Sequence, residues 1–194
     1  MNAPGVLITS AVFVCTHFML SHPLRRPMVA RLGENAFAGI YSLVAFATLG
    51  ATVWAYREAP VTAQLWPVGD DLWALATAMM LVASILLMGS FIRNPALPGV
   101  ASFAASAQAK GVFAITRHPM MWSFALWGVS HIIVYPIEKN IILSGAIIFL
   151  ALVGAALQDK KKAALDPQGW PQWKRRTSFF PFAALATGQT DMRV

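Results

Sequence analysis

Residues 72–92 read LWALATAMMLVASILLMGSFI, an apolar run without one charged side chain. Wound as a helix at 1.5 Å per residue, such a run reaches about 30 Å, the thickness of a bilayer's hydrocarbon core. In hydrocarbon the backbone amides have no water to bond, so they must pair within their own helix, and the run reads as a transmembrane α-helix. Working outward, four more segments share its character: Gly5 to Leu20, Ala36 to Tyr56, Met120 to Tyr135 and Ile141 to Leu157. The first and the last two are short for a crossing, which local thinning of the bilayer or an extra helical turn would accommodate. Composition agrees. The chain of 194 residues is 57% hydrophobic and 12% charged, with mean hydropathy +0.59, whereas soluble domains carry about a quarter charged residues. The predicted fold is all-α: one polytopic bundle over 1–194 with about five spans, and a tail, 158–194, at the membrane surface. Met1 to Gly5 carries no basic residue, so the first apolar run is read as a permanent helix and not as a cleaved leader.

Loop charges alternate along the chain. The first connection holds Arg25, Arg26 and Arg31 against Glu34. The second has Arg57 against Glu58, Asp70 and Asp71. The third carries Arg93, Lys110 and Arg117 without an acid, the fourth, Pro136 to Asn140, is short and neutral, and the tail holds Lys160, Lys161, Lys162, Lys174, Arg175 and Arg176. Basic loops stay cytoplasmic, which places the N-terminus outside and the tail inside. The net charge of +7 is explained by this topology and by contact with lipid, without a nucleic-acid partner. Trp66 and Trp73 fit an outer aromatic belt and Trp170 and Trp173 an inner one. The stretch Gly169 to Phe182 reads as an interfacial anchor, and Ala101 to Gly111, after Pro95 and Pro98, as a loop. The lone Cys15 excludes an internal disulfide. No thiol pair, Gly-rich phosphate loop or Ser/His/Asp pattern points to hydrolase or nucleotide chemistry.

Four histidines remain as the groups able to carry chemistry. His17 and His131 fall inside otherwise uncharged spans, and ionisable groups at that depth are functional candidates. His22 and His118 stand beside prolines at the ends of the same spans. On the fourth span, Phe124, Trp127 and Gly128 share a face with His131 at helical spacing, which would form a slot for a flat ring. Phe13, four residues before His17, builds a similar wall. Two imidazoles on different helices, flanked by aromatic and small residues, fit axial ligation of haem iron in a bundle core. The alternative is a histidine that only hydrogen-bonds a neighbouring helix. Counting 1.5 Å per residue from Pro23 and Pro119 puts His17 about 9 Å and His131 about 18 Å inside the boundary. On that count His17 can pair with either His131 or His118. Arg117 has two readings, an orienting charge or a partner for haem propionates, since its guanidinium matches carboxylate geometry.

Thr16-His17, Ser21-His22-Pro23-Leu24-Arg25-Arg26-Pro27, Arg31-Leu32-Gly33-Glu34 and Tyr41-Ser42-Leu43-Val44 resemble the NnrU family, as do Gly111 to Met120 and Leu126-Trp127 to His131. The run ending Arg117-His118-Pro119-Met120, with Lys174 to Ala184, is also similar to 15-cis-zeta-carotene isomerase. The resemblance implies an integral membrane protein associated with nitrite and nitric oxide reduction, or a haem b protein that isomerises a double bond of an apolar, lipid-soluble polyene. By that matching the iron ligands are His17 and His131, and His22 takes a structural or gating role. A more distant likeness, through Arg117-His118-Pro119, is to isoprenylcysteine carboxyl methyltransferases and phospholipid methyltransferases, which use S-adenosylmethionine. Where those families place acids, this chain has Lys160, Lys161 and Lys162. The function classes are therefore a haem-binding protein, a lipid or prenyl methyltransferase, or a non-enzymatic assembly factor with structural histidines.

Overall fold

The structure, a computed structural model, describes residues 3–96 and 108–190, and all regular structure among these is helical. In chain order the helices are α1 Ala3–Ser21, α2 Arg25–Glu58, α3 Asp70–Gly89, α4 Val112–Ile115, α5 Pro119–Val134, α6 Glu138–Leu165, α7 Gly169–Arg176 and α8 Ala183–Ala186. Four of them, α1, α2, α3 and α6, are long and apolar enough to cross a membrane, and α5 is a shorter apolar helix. At 16 residues, α5 spans about 24 Å. The protein is thus a multi-pass membrane protein. Apolar side chains crowd its outer faces: Leu43 and Phe46 on α2, and Leu81, Ile85 and Met88 at helical spacing on α3, are all more than half exposed. In water such faces would be a liability; in hydrocarbon they are the solvent-matched surface.

The boundaries depart from the sequence reading in three places, each with a physical cause. The first basic connection is helix. Pro23 follows the end of α1, Pro27 falls in the first turn of α2 where amides have no intrahelical partner, and the helical path is broken only at Gly33, with φ 80°. That backbone region is open to glycine without strain. Arg25 bridges the break to Glu34 at 2.9 Å. Second, α6 continues eight residues beyond Leu157, so Gln158 to Lys162 form a polar end of a helix. Third, the segment expected as an interfacial anchor is folded: Trp170 and Trp173 are fully buried. Of the expected Ala101 to Gly111 loop, residues 101–107 lie outside the described residues.

The chain forms two compact units. The first comprises Met1–Ala76 and Gly128–Leu150. Here α1 and α2 run antiparallel, with Val6 packed on Ala55 and Ala59 at one end and His17 and Ser21 against Tyr41 toward the other. Gly128 lets α5 press directly on α6: a Cβ there would lie 3.0 Å from the Ser144 carbonyl and 2.6 Å from Ile148, the close approach that small residues permit between membrane helices. Polar side chains serve as caps. Lys139 donates to the carbonyls of Tyr56 and Ala59 at the end of α2, and Asn140 donates to those of His131 and Tyr135 at the end of α5. Both satisfy acceptors that the helix itself leaves unpaired.

The second unit comprises Thr77–Trp127 and Ala151–Val194. Its core is Ala96, Phe113, Trp170 and Trp173. The segment after α7 lies along residues 115–117 by backbone bonds, Arg117 N–H to the Ser178 carbonyl at 2.8 Å and Phe182 N–H to that of Ile115 at 2.8 Å. Thr116 and Trp122 add bonds to the Phe179 carbonyl. Gln158 and Lys162, from the polar end of α6, donate to Ala96 and Pro95.

Candidate functional site

His17 sits on the α2 side of α1 and is half-buried. A carbonyl oxygen only accepts, so its 3.0 Å contact with the Phe13 carbonyl fixes Nδ1 as the N–H donor. In the neutral ring Nε2 then carries the lone pair, the tautomer required of a metal ligand, with the backbone bond orienting the ring. Phe13 stands 4.4 Å from the imidazole, ring to ring, as its four-residue spacing predicts, and Tyr41 of α2 meets it edge-on at 5.5 Å. Tyr41 is the wall residue that spacing on α1 alone does not reveal, because it arrives from another helix. His22 lies near Phe18, the ring centroids 6.5 Å apart and the planes tilted by 40°.

His131 belongs to the same unit, one turn from the close α5–α6 contact, and is half-buried. At Gly128 the face expected as a slot meets α6, where Ile148 and the Ser144 carbonyl take the space, while Phe124 is 41% exposed. Trp127 is half-buried. Helical spacing put these residues on one face; the packing of α6 decided that the face holds a helix at Gly128.

Arg117 and His118 belong to the other unit. Pro119 takes the first position of α5, as the motif predicts, but His118 is no exposed cap. It is 2% exposed, and its Nε2–H donates to Asp159 Oδ1 at 3.0 Å. Arg117 Nε donates to both oxygens of Asp159, at 3.1 and 3.0 Å, and Nη2 to Oδ2. The indole of Trp170 donates to Oδ1 at 3.2 Å. The Phe179 ring closes one side, 5.6 Å from the guanidinium and 5.4 Å from the imidazole. Asp159 lies past Leu157, beyond the apolar run of α6. Burial alone would raise its carboxyl pKa, but the hydrogen bonds from His118 and Arg117 and their charges outweigh it and hold the carboxyl well below the ordinary range. Nδ1 of His118 and Nε1 of Trp173 are buried without hydrogen-bond partners.

Asp159 is the residue the sequence reading missed. The signal was present: it is the lone acid between Glu138 and Asp166, at the end of a span and just before three lysines. Its oxygens accept hydrogen bonds from Arg117, His118 and Trp170. Among the described residues, no three His, Cys, Asp or Glu side chains gather as a metal-ion cluster.

The family model described as NnrU protein covers residues 6–191, nearly the whole chain. No curated protein and no solved structure matches it.

Proposed function

The chain belongs to the NnrU family, and from that premise we propose that it is a haem-b-binding protein of the bacterial inner membrane in which His17 would hold the iron. The observation that carries this reading is the Nδ1–H bond of His17 to the Phe13 carbonyl. It leaves Nε2 available on a half-buried ring between two aromatic side chains. His131, the other imidazole within an apolar span of the same unit, is the natural second ligand. Haem iron held by imidazoles supplies one-electron exchange or the means to isomerise a double bond in an apolar polyene. The chain's part is to orient His17 through its own helix, to exclude water with Phe13 and Tyr41, and to admit a lipid-soluble substrate laterally between helices.

The test is the absorption spectrum of protein purified from iron-replete cells, oxidised and reduced, with haem quantified as its pyridine complex. A Soret band lost in His17→Ala and in His131→Ala supports the reading. Arg117→Ala, which breaks the Asp159 cluster, is expected to retain haem in proportion to folded protein. Colourless wild-type protein, or a band indifferent to His17, overturns the proposal.

A further inference from the structure

Within the second unit, α5, α6 and the segment after α7 enclose an apolar groove of about 500 Å³. Trp122 forms one wall, Phe179 and Phe180 another, and α6 supplies Leu152, Val153, Ala156 and Leu157. Among the described residues that line the groove, the one cation is Lys160. Val153, Ala156, Leu157 and Lys160 follow the spacing of one helical face, so the lysine lies about 10 Å along the axis from Val153. Lys160 is exposed. Its neighbour Asp159 is already paired with Arg117, so the acid beside it does not cancel its charge. Lys161 and Lys162 follow in the chain, and the other acid nearby in sequence is Asp166.

An apolar groove at the end of a membrane-spanning helix, bordered by a cation just past the apolar run, matches an amphiphile with an anionic head. Its volume lies in the range of roughly 300–1,000 Å³ typical of pockets that hold one small ligand. We propose that this groove is a binding site for an anionic phospholipid, one acyl chain lying against Trp122, Ala156 and Phe180 and the phosphate paired with Lys160. The indole N–H of Trp122 is held by the Phe179 carbonyl at 2.8 Å, so the wall is set before lipid arrives. The aromatic faces and the Val153–Leu157 stripe contact the chain, and the lysine selects the head.

Purified protein in neutral detergent is titrated with phosphatidylglycerol carrying brominated acyl chains, and separately with phosphatidylcholine carrying the same chains. Bromine quenches tryptophan fluorescence on contact. The phosphatidylglycerol is expected to quench at about five-fold lower concentration, the preference one lysine at headgroup level supplies. Lys160→Ala should bring the two lipids to parity, Lys160→Arg should keep the preference, and Trp122→Phe should remove the part of the quenching that differs between the two lipids. Should Trp122→Phe fail to fold, Ala156→Phe, at an exposed position, fills the groove and is expected to abolish the same fraction. Equal quenching by the two lipids in the wild type overturns the proposal. So does a preference that survives Lys160→Ala, or covalent cross-links showing a second copy of the chain seated in the groove.

Discussion

Replacing Asp159 by asparagine would leave the Arg117 guanidinium buried, 7% exposed, with its counter-charge gone. Breaking one side of a buried ion pair costs about 3–5 kcal/mol, far more than the intact pair contributes. Asp159→Asn is therefore expected to lower the thermal midpoint in detergent sharply, read by loss of helical circular dichroism. The same carboxyl sets a pH dependence. Its pKa is depressed in the folded protein, so its contribution is fully present above the ordinary carboxylate value near 4 and is lost progressively as pH falls below it. The wild type should hold a steady midpoint from about pH 8 to 5 and lose stability below about pH 4, whereas Asp159→Asn should be less stable throughout and lose less on acidification. An asparagine variant as stable as the wild type would sink this account. Arg117 and His118 were legible as a motif, because Pro119 marks the helix start. Their partner was not, because it lies 41 and 42 residues away and nothing local ties an acid on α6 to the start of α5.

On the scale of elements, the contact of α5 with α6 rests on Gly128. A methyl group at that position would meet Ile148 at 2.6 Å and the Ser144 carbonyl at 3.0 Å. The side chain can turn away, but the carbonyl belongs to a helix and moves only with it. Gly128→Ala is expected to destabilise the protein by about 1–3 kcal/mol through overpacking. Adding Ile148→Ala should recover part of that loss and not all of it, a coupling that a double-mutant cycle in denaturant measures. Strict additivity would show that the two positions do not meet. Helix existence was legible from hydropathy, and the apolar core of every span was placed. Helix ends were less so: α2 begins within a basic stretch that reads as a loop, and α6 runs on through Lys160, Lys161 and Lys162. At the first, an exposed ion pair across the Gly33 break joins Arg25 to Glu34; at the second, a bond from Lys162 to the distant Pro95 carbonyl holds polar residues in helix that local composition assigns elsewhere.

For the molecule as a whole, the charge alternation of the loops predicts orientation. With Cys15 replaced by serine, single cysteines introduced at Gln64 and at Thr187 can be probed with a membrane-impermeant maleimide on intact spheroplasts. The first is expected to label and the second only after lysis. The reverse pattern would overturn the assignment of the tail to the cytoplasm. The same chemistry bears on Trp170 and Trp173. They read as an interfacial belt because they lie among cations near a span, yet both are fully buried, and Trp170 bonds Asp159. Proximity to lysines in sequence does not say whether an indole meets lipid or a folded core.

Hydropathy and proline placement alone determined that the chain is a bundle of membrane helices, since unpaired backbone in hydrocarbon leaves few alternatives. Spacing within one helix determined that Phe13 walls His17 and that Pro119 opens α5. Tertiary structure alone decided what fills the faces those patterns expose: Ile148 beside Gly128, Tyr41 across from His17, and Asp159 between Arg117 and His118. The reason is that periodicity describes one helix at a time. Packing and charge pairing depend on which side chain another helix brings, and that contact is made only when distant segments meet.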